Sequence, residues 1–500
     1  MAGAIILAHD IGTSGTKTSI VRADGVIEDS VASAHETRSP QPGWAEQEAS
    51  DWWEGVCHNT RALMERNPRA RDDVAGIGVS GQMLGCLPLD AEGNPLRRSM
   101  IHSDCRATAQ TQQVAERVGA ERFYGITGNI LDPRSPLCKI VWLKENEPSI
   151  YARTARFVQS KDYVVGRMVG AFETTDLSDA SHASWIDITE RAYARDMLRE
   201  LGIAPGKFPE LHAGTDVVGS LTGSAAQALG LPSGIPVVAG GGDGACATAG
   251  AGAVNTGDVY CCIGTTAWIA STVSEPLIDP QQRVFCISAL DGERIAVHGT
   301  IQAAGRSVDW VMDLLGEEGF ERFDEMLAGA PPGSDGLLFL PYLEGERSPI
   351  FDPDARGVFF GITPAHGREH FLRATVEGVS FALRSVLEVL RESTQIPALR
   401  LIGGGGQSET WQQILADVWD ARVQILSTQS ADATSVGAAL AAGVGVGLFA
   451  SMSEAAETVA VEQERVADPE RAGTYRTLFG IYADLYPRLE TAFARLQECL

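Results

Sequence analysis

The sequence has no Cys-x-x-Cys pair, and its nine cysteines, at 57, 86, 105, 138, 246, 261, 262, 286 and 499, are odd in number. That argues against a disulfide framework and for reduced, structural thiols in a cytoplasm. Positive charge is also scarce, with 40 Lys and Arg against 65 Asp and Glu, a formal net charge of −25. Nucleic acid or an anionic membrane would meet a repulsive mean field, so neither is expected as a partner. The opening MAGAIILAHD lacks a basic segment, so no secretory signal is expected. One stretch lacks charge altogether, between Asp432 and Glu454, but its glycines and alanines suit a buried helix better than a membrane span. A Gly-x-Ser-x-Gly nucleophile elbow is absent, and Thr16 before Lys17 excludes a Walker A loop.

What is present is length and α/β order. With 500 residues, 44% of them hydrophobic, the chain can form two to four domains, each burying its own core. Residues 4–9 and 16–22 read as strands around a Gly-Thr-Ser-Gly loop, and Asp24-Gly25 turns into a third. The spacing of Trp52, Trp53, Val56 and Leu63 predicts a helix, followed by the apolar strand 74–81. Further helices are expected at 105–118, 190–201, 305–315, 366–392 and 408–420, with strands at 235–239, 258–263, 336–340 and 399–403. Asp468 and Pro469 read as the start of a last helix, which Pro487 should kink.

The organising feature is a repeat. IGTSGTKTSIV (11–21) has a partial echo in IGTTAWIASTV (263–273), each reading as strand, hydroxyl-rich loop, strand. Two such hairpins half a chain apart suggest two similar domains, 1–252 and 253–500, sharing a cleft, with a terminal helical segment from about 455. Glycine lets backbone approach a phosphate closely while Thr and Ser supply donors, so a polyphosphate gripped from both sides accounts for the duplication. Asp10, at a strand end, is a hard carboxylate suited to Mg²⁺. LIGGGGQSETWQQILAD (401–417) reads as a strand, a glycine turn and a helix capped by Ser408. In VVAGGGDGACA (237–247), Asp243 is either a general base for a hydroxyl or a loop residue capping the next helix; spacing leaves both open. Gly76-x-Gly78-x-x-Gly81 lacks the helix a dinucleotide fingerprint needs, and His366-x-x-Glu369-His370 lies at a helix start, where a zinc pair is not expected. His9 and His298 read as satisfied strand residues rather than ligands.

These residues resemble the FGGY family of carbohydrate kinases, most closely its xylulokinase branch. The resemblance is carried by GVFFGITPAHGREHFLRATVE (357–377), LPYLEGERSP (340–349), PGWAEQE with Trp52-Trp53, Pro136-x-x-Lys139-Ile140-x-Trp142 and the two Gly-Thr loops. It implies an actin-like, ribonuclease-H-like fold with two domains around a cleft. The implied activity is transfer of the γ-phosphate of ATP to a hydroxyl of a small sugar or polyol. By the same resemblance Asp243 is the base and, with Asp10, holds Mg²⁺. Thr13, Ser14, Lys17, Gly264, Thr265 and Thr266 face phosphates, Gly404, Gly405 and Ser408 border adenosine, and Gln82, Met83, Leu84, Asp104 and Asp243 face the acceptor. A homodimer is permitted.

Three departures fall where the sugar should lie: Leu84 replaces the family's His after Gln-Met, His102-Ser103-Asp104-Cys105-Arg106 replaces Trp-Asn-Asp-x-Arg, and Gly244 follows Asp243 where Asn is usual. D-Xylulose is the first expectation, with ribulose, erythritol, erythrulose, arabitol and glycerol as alternatives. An actin- or chaperone-like ATPase without a sugar substrate is the alternative of another class. With an ordinary pKa of roughly 4, Asp243 is expected to be ionised at neutral pH.

Overall fold

The chain builds two seven-stranded sheets, seen in a computed structural model that describes residues 4–317, 319–426 and 432–499. The first begins with the antiparallel meander β1 (Ile5–Ile11), β2 (Gly15–Arg22) and β3 (Ile27–Ala34). Helix α1 (Ala49–Arg66) buries Trp52, Trp53, Val56 and Leu63 and leads to β4 (Val74–Gly81), which runs parallel to β1 with Ser80 opposite Asp10. Later strands β5 (Val217–Ser220), β6 (Pro236–Val238) and β7 (Gly241–Gly242) give the order β5-β6-β4-β1-β2-β3, with β7 also on β4. Helix α2 (Asp243–Gly250) follows at once.

The second sheet repeats this plan. Strands β8 (Val259–Ile263), β9 (Ala267–Val273), β10 (Phe285–Ser288) and β11 (Ile295–Ile301) form its antiparallel part. Helix α3 (Arg368–Arg391) leads to β12 (Ala398–Ile402), α4 (Glu409–Trp419), β13 (Arg422–Leu426) and α5 (Ala433–Gly445). With β14 (Val461–Arg465), the order is β10-β11-β9-β8-β12-β13-β14. Thus β3-β2-β1-β4-β6 corresponds to β11-β9-β8-β12-β13, and α2 corresponds to α5.

The two halves are joined by these last helices. α5 packs on α2 and on β1 and β4 of the first sheet, and apolar residues from both halves share one core. Glycine is needed at the crossing: a Cβ on Gly250 would lie 1.8 Å from the Ala433 carbonyl oxygen, and one on Gly437 1.9 Å from that of Cys246. The charge-free run is therefore a buried helix. No helix among the described residues is long and apolar enough to cross a membrane, and all nine cysteines are free.

Two expected helices are altered. The one expected at 190–201 starts at Arg195, because Ala192–Tyr193 pairs with Ile186–Asp187 in a short hairpin turning at Arg191, whose φ is +52°. The segment after 455 contributes β14 before any long helix. Its sequence, VEQER, is mostly exposed at the sheet edge and so shows no apolar alternation to read. The last helix, α6 (Pro469–Gln497), is capped by Asp468 and buries Tyr475, Tyr482, Leu485 and Phe493; Pro487 lies inside it without ending it.

Candidate active site

Between the halves lies a cavity of about 290 Å³. Asp243 reaches it from the first turn of α2, where Gly241 and Gly242 join the edge of β4 and break the strand. The Gly242 N–H donates to Ser178 Oγ (3.0 Å), which donates to the Asp176 carboxylate. Gln82, Met83 and Leu84 follow β4 into the same wall. Gln82 Nε2 donates to Gln47 Oε1 (2.7 Å), and Gln47 Nε2 donates to the Thr13 carbonyl (2.7 Å), so this wall and the first loop are cross-linked. Thr13 lines the cavity from that loop and Thr266 from the loop of the second half, so the repeated hairpins converge.

The remaining wall contains His102, which the sequence marked only as a departure from the family pattern, and groups that sequence reasoning did not place there: His182, His298, Trp268, Phe285, Arg347 and Thr434. Burial depresses the three imidazoles, His102 to about 4 and His182 and His298 to about 3, so all are neutral at pH 7. Neutral imidazoles both donate and accept, which suits hydroxyl groups. His298 is thus a cavity residue rather than only a strand residue, while His9 keeps a partner in Thr18 (3.0 Å). Arg347 lay within the quoted GERSP segment and Thr434 at the start of the charge-free run; neither carried a spacing signal.

Asp243 does not have the ordinary pKa expected. Burial first, and the nearby charge of Asp10 second, raise it to about 7, against one hydrogen bond from the Gly244 N–H (2.8 Å). Burial raises Asp10 too, opposed by hydrogen bonds from Thr434 and Ser80 and by the charge of Lys17. Thr434 Oγ1 donates to Asp10 Oδ2 at 2.7 Å, a bond across 424 positions that ties α5 to β1. Two carboxylates that feel each other's charge, with no ion pair to either among the described residues, are a donor set of hard oxygens, which fits a divalent cation. Among the described residues no group of three acidic, histidine or cysteine side chains is placed to hold a metal ion.

A second cavity, about 530 Å³, lies beside the second loop. Gly264 and Thr265 line it with Gly404, Gly405 and Ser408, and Phe320, Phe323 and Trp411 supply flat apolar surface. Ser408 caps α4 by accepting from Trp411 N–H (3.0 Å). Four expected site residues line neither cavity, Asp10 with its bond to Thr434 being the first. Lys17 is ion-paired with Asp432 at the start of α5. Ser14 is exposed on the first loop, its carbonyl accepting from His35 N–H (3.2 Å). Asp104 is fully buried, accepting from Ala45 N–H (2.7 Å) and Arg106 Nη2 (2.6 Å), and lines neither cavity. Its neighbour His102 lines the smaller cavity instead.

The model of the N-terminal domain of the FGGY family of carbohydrate kinases matches residues 5–250, and that of the C-terminal domain matches 259–446. The chain belongs to the FGGY family of carbohydrate kinases. It is 34% identical over 484 residues to the xylulose kinase of Bacillus subtilis, covering 96% of each chain. Its fold matches the ligand-bound xylulose kinase of Lactobacillus acidophilus, with TM-score 0.93, 26% identity and coverage of 99% and 100%. The gluconate kinase of the same organism matches as well, with TM-score 0.93, 25% identity and 99% of each chain covered.

Membership makes this FGGY chain an ATP-dependent sugar kinase with the two-domain, actin-like ATPase fold. In FGGY terms the smaller cavity has the size and polarity for a sugar, and the larger has the aromatic lining for a nucleotide. The equal similarity to a xylulose kinase and a gluconate kinase shows that fold alone does not select the acceptor.

Proposed function

We propose that this enzyme phosphorylates a small ketose, with D-xylulose the leading acceptor, and that residues 1–252 form the acceptor-side domain and 253–500 the nucleotide-side domain. The single observation that supports it best is Asp243, an otherwise uncompensated carboxylate at a helix start, sharing one cavity with both hydroxyl-rich loops. Identity to a xylulose kinase over nearly the whole chain supports the acceptor.

In this reading the ATP phosphates lie across the loops of Thr13 and Ser14 and of Gly264 to Thr266, with the base over Gly404, Gly405 and Trp411. Asp10 and Asp243 would hold Mg²⁺, which when bound neutralises charge on the phosphate oxygens. Asp243 accepts the proton of the acceptor hydroxyl as its oxygen bonds to the γ-phosphorus and the bond to the ADP oxygen breaks. His102, His182 and His298 orient the remaining hydroxyls, and Leu84 covers one end with apolar surface. Closure of the halves excludes water as a competing acceptor.

A second acceptor class is favoured by one specific observation. The Arg347 guanidinium lines the cavity, and among the described residues no carboxylate is ion-paired with it. A carboxylate at the far end of an aldonate would satisfy it. Coupled ADP release with D-xylulose, D-ribulose, erythritol, D-arabitol, glycerol and D-gluconate decides among these. The proposal expects D-xylulose to give the highest kcat/KM, and ADP release independent of every acceptor would sink it in favour of a sugar-free ATPase.

A further inference from the structure

A buried ammonium stands behind the acceptor cavity. Pro136 opens the helix Pro136–Asn146, whose first eight residues are all buried, and Lys139 is 0% exposed within it. Lys139 makes no ion pair among the described residues. Its Nζ instead donates to two backbone carbonyls, Leu84 O at 2.9 Å and Ile101 O at 2.7 Å. Leu84 lines the cavity, and His102, which also lines it, follows Ile101 directly. Leu84 has φ +61°, the left-handed region that residues with a Cβ rarely adopt, and such strain persists only where surrounding structure imposes it. Donation from a full charge to its carbonyl is such an imposition, and charge-assisted bonds are about twice as strong as neutral ones.

We propose that Lys139 is a positioning residue for the phosphate acceptor, fixing Leu84 and His102 in the geometry that closes the far end of the cavity. The proposal rests on this cavity being the acceptor site. Around Lys139 stand Asp104, Cys86, Cys105 and Asp132, whose charges favour its protonated form, and His102. Asp104 is committed to Arg106, the buried Cys86 thiol is pushed up to about 12, and the Cys105 thiol is raised also by burial. Burial outweighs the favourable charges and brings Lys139 down to about 8. Between pH 7.5 and 9.5 it therefore loses its charge.

Steady-state kinetics of the wild type and Lys139→Met, with D-xylulose and ATP, test this. In the wild type the KM for D-xylulose should rise about threefold to tenfold from pH 7.5 to 9.5, as the bonds lose their charge assistance, with the KM for ATP within twofold. In K139M it should already be raised at least about tenfold at pH 7.5 and no longer depend on pH. A wild-type KM that stays flat, or a K139M enzyme matching the wild type, overturns the inference. If no acceptor supports turnover, the functional reading has failed and the inference is decided separately by a crystal structure of K139M. There Leu84 leaving the left-handed region supports the positioning role, and φ remaining near +61° overturns it. Should K139M not fold, the wild-type pH series and the same series with Leu84→Gly, which needs no clamp, carry the decision: L84G should lose the pH dependence.

Discussion

Asp243 and Asp432 stand at equivalent places, each at the start of the helix that ends its half of the repeat, yet their surroundings differ. Asp432 is neutralised by Lys17 of the opposite half. Asp243 has no ion pair among the described residues and instead feels the charge of Asp10. One copy of the motif spends its acid on holding the halves together, while the other keeps it uncompensated in the cavity. The difference locates the chemistry more sharply than the glycines or hydroxyls of the loops, which both halves share.

The largest effect that tests this contrast is expected from Asp243→Asn, which should lower kcat by about 10² to 10⁴ with little change in the KM for ATP. The same substitution should stabilise the metal-free protein at alkaline pH. The folded-state pKa of Asp243, about 7, lies above its unfolded value near 3.9, so the folded chain holds an extra proton between them. That contribution is complete below about pH 4 and is lost as pH rises through 7. Wild-type stability should therefore fall relative to D243N by at most about 4 kcal/mol between pH 4 and 8, measured by urea unfolding without metal. A parallel pH profile for the two proteins would show that Asp243 is not raised. Asp432→Asn, by contrast, should leave kcat nearly unchanged.

Next in size is Thr434→Val, which removes the hydroxyl that orients Asp10 from the other half. A partner of a metal-holding carboxylate typically controls affinity by about 10- to 100-fold, and the Mg²⁺ concentration for half-maximal ADP release should rise by that order. An unchanged Mg²⁺ requirement would mean that Asp10 needs no help from α5. Gly437→Ala probes the same helix pair by packing alone. Its Cβ would meet the Cys246 carbonyl at 1.9 Å, so the pair must separate, at a cost of about 1 to 3 kcal/mol. Unfolding in urea should show the loss, and activity should fall further because α2 and α5 carry Asp243 and Thr434.

The paired hairpins, the parallel strands after them and the glycine turn before α4 were legible in sequence because each is a local pattern: apolar period, turn residues, cap. The loops around Thr13 and Thr266 could be matched to one another for the same reason. What stayed hidden depends on distant partners. The bond from Thr434 to Asp10 joins residues 424 positions apart, and nothing in Asp-Ala-Thr-Ser announces it. Asp104 looked like an acceptor ligand because its neighbours match the family pattern, but Arg106 two residues on and the Ala45 N–H use up its oxygens. Asp243 was visible as a residue but not as a weak acid, since its pKa is set by burial and Asp10. The edge strand β14 has no apolar face to read.

The smallest expected effect is the most discriminating for Lys17. Its place after the first loop makes it a candidate phosphate ligand, yet it is held by Asp432, with both side chains partly buried. Burial lowers its pKa, opposed by the charge of Asp10, which favours the cation. If Asp432 competes with nucleotide for Lys17, then Asp432→Asn should lower the KM for ATP by about twofold to fivefold, the scale of one partly exposed ion pair. Lys17→Met should raise it by a similar factor, and the double variant should match Lys17→Met alone, because Asp432 then has no partner left to withhold. If D432N instead raises the KM for ATP, Asp432 aims Lys17 rather than occupying it. The two helix-opening acids would then both serve the nucleotide, one through a proton and the other through a lysine.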